Sequence, residues 1–244
     1  LRPKTNCMKQ ATLFFVLILG YSNLLIAQDR FSVSLAAGKS LSLRELATQI
    51  TGSQRAQLAG DGLAAQIGAG VQFTRHLGLT VRLNYNENET REEGIKSYAA
   101  AAYDITNLTV ARTEKWRAVS ALAGPTLRVF LGTVSLQGRL MAGYASITGP
   151  AFLANGTFAN RDVFIDSKTG VTQSFAFGAG STFAVALGKH LSLAINADYT
   201  QTKAEFTGVQ NIITVSGNVI SPITPTITQD MGILNITAGL VVSF

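Results

Sequence analysis

Few residues in this 244-residue chain have the type and spacing to do chemistry. Hydrolysis by a serine or aspartate needs a histidine within reach and a third group to orient it. The two histidines, His76 and His190, both fall in short turn-like stretches, Arg75-His76-Leu77-Gly78 and Gly188-Lys189-His190. A metal site needs clustered His or Cys ligands, and the sole cysteine, Cys7, lies before an apolar run near the N-terminus. Four acids, Glu87, Glu89, Glu92 and Glu93, surround Arg91, but their spacing matches no EF-hand loop. Gly68 and Gly70, like Gly178 and Gly180, are two apart, which is the period of one strand face and not of a phosphate loop. These patterns predict no enzyme, no cofactor and no metal. What remains is a set of isolated charges, Arg82, Arg139 and Asp198, each among small or polar neighbours.

The segments carrying those charges alternate with period two, the signature of strands with one apolar face. Leu79, Val81, Leu83 and Tyr85 alternate with Thr80, Arg82, Asn84 and Asn86; Leu191, Leu193, Ile195, Ala197 and Tyr199 alternate with Ser192, Ala194, Asn196, Asp198 and Thr200. Comparable runs begin near Phe31, Leu63, Val119, Val134, Phe175 and Leu234, eight in all. Pro125 interrupts the fourth, so a bulge or a local break in pairing is expected there. The face opposite the apolar one carries mainly Gly, Ala, Ser, Thr, Asn and Gln, where a soluble sandwich would carry Lys and Glu.

Composition agrees. Charged residues are 14% and hydrophobic residues 47%, too apolar for disorder. No apolar run outside the N-terminus is long enough for a membrane helix. The net charge of +6 does not imply nucleic-acid binding: Arg2, Lys4 and Lys9 precede residue 28, no acid does, and the remainder has no basic cluster. Residues 1–28 read as a removed signal peptide, with a basic start, an apolar run from Leu13 to Leu19 and Ala27-Gln28 before Asp29; Met8 is a candidate initiator. Residues 29–244 then form one domain. Its connections alternate between three short turns and four long loops, about 39–61, 87–114, 148–170 and 203–229. All the long loops at one end is the plan of an outer-membrane barrel, with short periplasmic turns and long extracellular loops. The fold expected is an all-β, eight-stranded antiparallel up-and-down transmembrane β-barrel, or ten strands if a long loop embeds an extra hairpin. Aromatics at both strand ends, Phe73, Phe130 and Phe244 beside the turns and Tyr85, Tyr144 and Tyr199 towards the loops, suit membrane girdles.

The eight-segment layout and the terminal strand ending in Leu240, Val242 and Phe244 resemble bacterial outer-membrane barrels of the OmpA/OmpX type. The Ala27-Gln28 signal end and the turn chemistry are similar to barrel proteins of Bacteroidetes-type bacteria. The resemblance implies an integral outer-membrane location, with outer-membrane lipid, periplasmic chaperones and the barrel-assembly machinery as partners. It also implies that Leu240, Val242 and Phe244 form the assembly signal. Unlike in OmpA, no peptidoglycan-binding domain is expected after the strand that ends at Phe244.

In a lumen that narrow, side chains from non-adjacent strands can meet. Charges buried there need partners, so Asp198 is expected to pair with Arg82 or Arg139 in a network with Gln66, Gln137 and Asn196, with Arg128 nearer the turns. That network fills the lumen, or it lines a narrow anion-preferring path. The loops hold an amphipathic stretch from Leu41 to Ile50, a helix or hairpin extension at Ala99–Tyr103, and β-branched strands within 212–227 that project beyond the membrane. The functions expected are a non-enzymatic role in envelope structure or surface adhesion through the loops, or a narrow pore for small anionic or apolar solutes.

Overall fold

The computed structural model describes residues 31–49, 55–223 and 226–244; the expected signal segment lies outside them. The strands in chain order are β1 (Phe31–Gln49), β2 (Arg55–Gln57), β3 (Ala59–Gln72), β4 (Leu77–Thr90), β5 (Thr106–Thr113), β6 (Trp116–Leu131) and β7 (Val134–Thr148). There follow β8 (Phe152–Phe158), β9 (Arg161–Ser167), β10 (Val171–Ala186), β11 (Leu191–Phe206), β12 (Asn211–Val215), β13 (Asn218–Ile223) and β14 (Ile227–Ser243). One helix, α1 (Glu92–Tyr103), separates β4 from β5.

Eight of these strands, β1, β3, β4, β6, β7, β10, β11 and β14, hydrogen-bond to their neighbours, and β14 returns to β1 to close a barrel. Closure runs from Ser32 opposite Ser243 to Ser40 opposite Asn235 without a shift. Closure matters in lipid, where a free strand edge has no water to bond. The ten-strand alternative does not occur. The extra hairpins stand outside the barrel as a separate five-stranded sheet, ordered β13-β12-β9-β8-β5.

The period-two faces fall as the sequence implies. Leu77, Leu79, Val81, Leu83 and Tyr85 of β4 are exposed on the outer face, while Thr80, Arg82, Asn84 and Asn86 are buried. Nine residues carry this apolar band, the span a tilted transmembrane strand needs. Polar side chains then take over outside, with Lys39 bonded to Asp61 at 2.9 Å and Lys115 to Glu87 at 2.8 Å. The strands continue past this rim, so the barrel projects above the membrane. The amphipathic pattern from Leu41 reflects that projection: β1 runs on to Gln49, pairing with β14 and β2.

Three tight turns close the other end. Leu131 pairs with Val134 around Gly132, whose φ of 66° is one that glycine adopts without a Cβ penalty. Pro125 breaks pairing without making a bulge. Its ladder to β4 is continuous, and β6–β7 pairing lapses only between Ala123 opposite Ala142 and Thr126 opposite Arg139, with the register kept. Proline has no N–H to give the ladder, so the pairing lapses there and the parity of Arg128 is preserved.

Candidate functional site

The lumen holds a buried ion cluster. Asp198 on β11 accepts from Arg82 Nη1 through Oδ2 at 2.8 Å and from Arg139 Nε through Oδ1 at 2.7 Å, with Arg139 Nη2 on the same oxygen. Both arginines therefore meet the acid. The register explains how: Gly180 lies in the ladder between Arg139 and Asp198, opposite each. A Cβ at Gly180 would stand 2.0 Å from Asp198 Oδ1 and 2.9 Å from Arg139 Nε. The glycine is the gap through which the guanidinium reaches the carboxylate.

Neutral side chains complete the cluster. Gln66 donates to Asp198 at 3.1 Å and accepts from Arg82 at 3.0 Å. Asn196 Oδ1 accepts from Arg82 Nη2 at 3.1 Å, and its amide donates to Thr237 at 3.3 Å. Thr182 accepts from Arg139 Nη1 at 2.6 Å and Thr237 donates to Gln66 at 3.0 Å. Thr182 and Thr237 escaped sequence reasoning, although Thr182, Asn196 and Thr237 face one another across β10, β11 and β14. Counting back along the β10–β11 hairpin would have found the first pair. Gln137 stands apart from this cluster. Its Oε1 accepts from Arg128 Nη2 at 3.1 Å, nearer the turns.

Above the cluster lies a second polar layer, in which Asn86 donates to Ser40 at 3.1 Å and Ser40 to Asn88 at 3.0 Å, with Asn235 bonded to Asn86. Beside and above it the lumen turns apolar, a feature absent from the sequence-based picture of a small, polar interior. Leu122, Met141, Ile147, Met231, Trp116 and Phe206 form one buried cluster. Trp116 and Phe206 meet edge to face across the lumen, ring centroids 6.1 Å apart, although β6 and β11 are not neighbours. Their strand parity marked them as inward-facing once the strands are extended beyond the membrane.

The loop sheet caps this mouth. Its hairpins turn on Ala159-Asn160 and Ser216-Gly217, all at positive φ, the geometry of two-residue primed turns. The helix α1 begins with Glu92 and Glu93, acids suited to the positive end of its dipole, and ends at Asp104 in the left-handed region. Ile95 and Ala99, one turn apart, bury against Ile105, Leu108, Val163 and Ile165 in a core belonging to the cap itself. Between cap and barrel is a mostly apolar cavity of about 100 Å³, lined by Leu58, Ile95, Trp116, Phe152, Ile165 and Phe206 among others.

The remaining expected residues lie on the barrel's outside or at its ends. Phe73, Tyr85, Tyr144 and Phe244 are exposed on the outer face. Tyr199 is half-buried there, in a hollow beside Pro125 and Leu140. Phe130 differs: it has lumen-side parity at the strand end, with the guanidinium groups of Arg128 and Arg75 over its ring at 5.9 and 6.0 Å. Leu240 and Val242 face outward in β14. His76 and His190 donate from Nδ1 to the carbonyls of Arg128 and Ser243, at 2.8 and 2.9 Å, latching each turn to the adjacent strand. Above the rim, hydrogen bonds from Lys115 and from the Tyr85 hydroxyl hold the Glu87 carboxyl below its ordinary pKa. Among the described residues no three His, Cys, Asp or Glu side chains converge as metal ligands.

Several solved outer-membrane proteins are similar to this chain at low identity. Neisserial surface protein A is 14% identical over 88% of this chain and 97% of its own, with a TM-score of 0.43. Ail, the attachment invasion locus protein of Yersinia pestis, is 14% identical over 89% and 100%, with a TM-score of 0.41. The outer membrane protease OmpT from Escherichia coli is 9% identical over 91% and 100%, with a TM-score of 0.48. No curated protein matches the chain. The family model described as an outer membrane protein beta-barrel domain matches residues 26–244. The chain therefore belongs to that family and is an integral outer-membrane β-barrel.

Proposed function

We propose that this protein is a non-enzymatic barrel with a filled lumen that displays a folded extracellular platform for surface interaction or adhesion. The observation that carries this reading is the cap: three of the four long loops contribute to one sheet with its own apolar core, standing above a lumen occupied at several levels. Loops that only joined strands would need no such core. The cap has two edge strands, β5 and β13, and a strand edge can recruit a partner by β-augmentation. Engagement of both histidine rings by strand carbonyls favours a structural role for the residues best suited to acid–base chemistry.

The test is loop exchange. Replacing 87–114, 148–170 and 203–229 with short turns should leave a barrel whose unheated gel mobility is that of a folded one. Attachment of expressing cells to an epithelial monolayer and to glass should fall to the level of cells lacking the protein. Unchanged attachment on both surfaces, with the trimmed barrel folded and exposed, would overturn the adhesive role. A second reading, passage of small apolar solutes, is favoured by the cavity under the cap with its Trp116 and Phe206 wall. It requires the filled lumen below to open.

A further inference from the structure

We propose that the turn end of the lumen is a binding site for one small inorganic anion of about chloride size. The site is a polar hollow of about 50 Å³, room for one or two water-sized species. Arg82 and Arg128 line it together with Ser34 and Ser135; the hydroxyls of Thr80 and Thr182 beside them already donate to the Ala69 carbonyl and to Asn196 Oδ1, and no acidic side chain lines the hollow.

Charge balance supplies the reason. Along the membrane-spanning lumen, among the described residues, the charged side chains are Arg82, Arg128 and Arg139 against Asp198 alone. Asp198 is already shared by Arg82 and Arg139. Among the described residues, the Arg128 side chain meets only the neutral Gln137 and the Phe130 ring. The Nε atoms of both Arg82 and Arg128 are buried with no hydrogen-bond partner among the described residues. Excess positive charge in a weakly polarisable interior is strongly unfavourable, and arginine does not shed its proton to relieve it. An anion from solution held between Arg82 and Arg128 offsets part of that excess.

The approach is shaped for an anion. At the turns, residues 73–76, 132–133 and 187–190 include exposed Arg75 and Lys189 and no acid, so the local field draws anions towards the mouth. The ion cluster closes the inner end, which makes the hollow a dead end and not a path. Guanidinium and hydroxyl donors can replace part of an anion's hydration shell, whereas a cation would meet no negative side chain. The small volume selects chloride or bromide over bulky organic anions.

The probe is chloride, followed by NMR line broadening on the full chain refolded in zwitterionic micelles, with sodium gluconate holding ionic strength constant. Broadening should exceed that of the unfolded chain, be competed away by bromide, and resist gluconate. Arg128→Gln should weaken chloride affinity by about tenfold, as expected for one charge-assisted contact. Lys189→Gln, at the exposed turn, should change it by less than about twofold. Should Arg128→Gln fail to fold, bromide-soaked crystals of the unmodified protein decide: an anomalous peak in contact with Arg82 and Arg128 is expected. Broadening no greater than in the unfolded chain, chloride binding that follows Lys189 and not Arg128, or bromide peaks confined to the turn surface would overturn the site.

Discussion

Replacing Asp198 with alanine is expected to destabilise the barrel by about 3–5 kcal/mol, the cost of breaking a buried ion pair by removing one partner. Asp198 is 2% exposed and is the one acid for Arg82 and Arg139, which are 7% and 4% exposed. Its loss strands two guanidiniums together where water is scarce. Gln66, Asn196, Thr182 and Thr237 can accept some of the freed donors, but none brings a charge. Asp198→Asn should be nearly as damaging as the alanine variant, because the deficit is charge and not volume. Urea unfolding in micelles, read by gel mobility and by Trp116 fluorescence, measures both. An asparagine variant with an unchanged midpoint would mean that the ion cluster does not hold the strands together.

Gly180→Ala should cost about 3 kcal/mol, the upper end for overpacking, even though only one methyl group is added. That methyl would stand 2.0 Å from Asp198 Oδ1 and 2.9 Å from Arg139 Nε. It cannot be housed without parting the ion pair. Gly178, on the same strand and face, is the control: a Cβ there meets Leu122 Cδ1 and the Tyr199 carbonyl at 3.2 Å. Small shifts can relieve contacts of that kind, so Gly178→Ala should cost about 1 kcal/mol, the low end of the same range. Equal effects at the two glycines, measured by the same unfolding curves, would contradict the role given to Gly180.

The barrel was legible because lipid on one side and a crowded lumen on the other force a period of two on every strand. That parity alone put Arg82, Arg139, Asp198, Gln66 and Asn196 on the inner face. Height along the barrel was harder to read, because it depends on register between strands joined by long loops. Gln137 shares the inner face but sits a level nearer the turns, beside Arg128. The position of Gly180 between Arg139 and Asp198 needed the β7–β10 register, which no short turn fixes. The cap was partly visible. The alanine run before Tyr103 suits either a helix or a hairpin extension and is a helix, and the β-branched stretch near Ile212 does form strands. Their union into one sheet rests on pairings between different loops, β5 with β8 and β9 with β12, which local sequence does not encode. Trp116 and Phe206 are hidden from the sequence for a related reason: they lie on strand extensions beyond the membrane rim, outside the period-two apolar runs.

The account stands on a lumen that is closed beneath a folded cap, and conductance across a planar bilayer tests this most directly. The full chain, refolded and shown by its unheated gel mobility to be a closed barrel, should give no discrete current steps in molar salt. Removing the cap should leave it silent, because the Arg82–Asp198–Arg139 cluster and its polar neighbours still fill the barrel at membrane level. Reproducible unitary steps from the folded, full-length protein would contradict the filled lumen and make Arg82, Arg139 and Asp198 the walls of a permeation path.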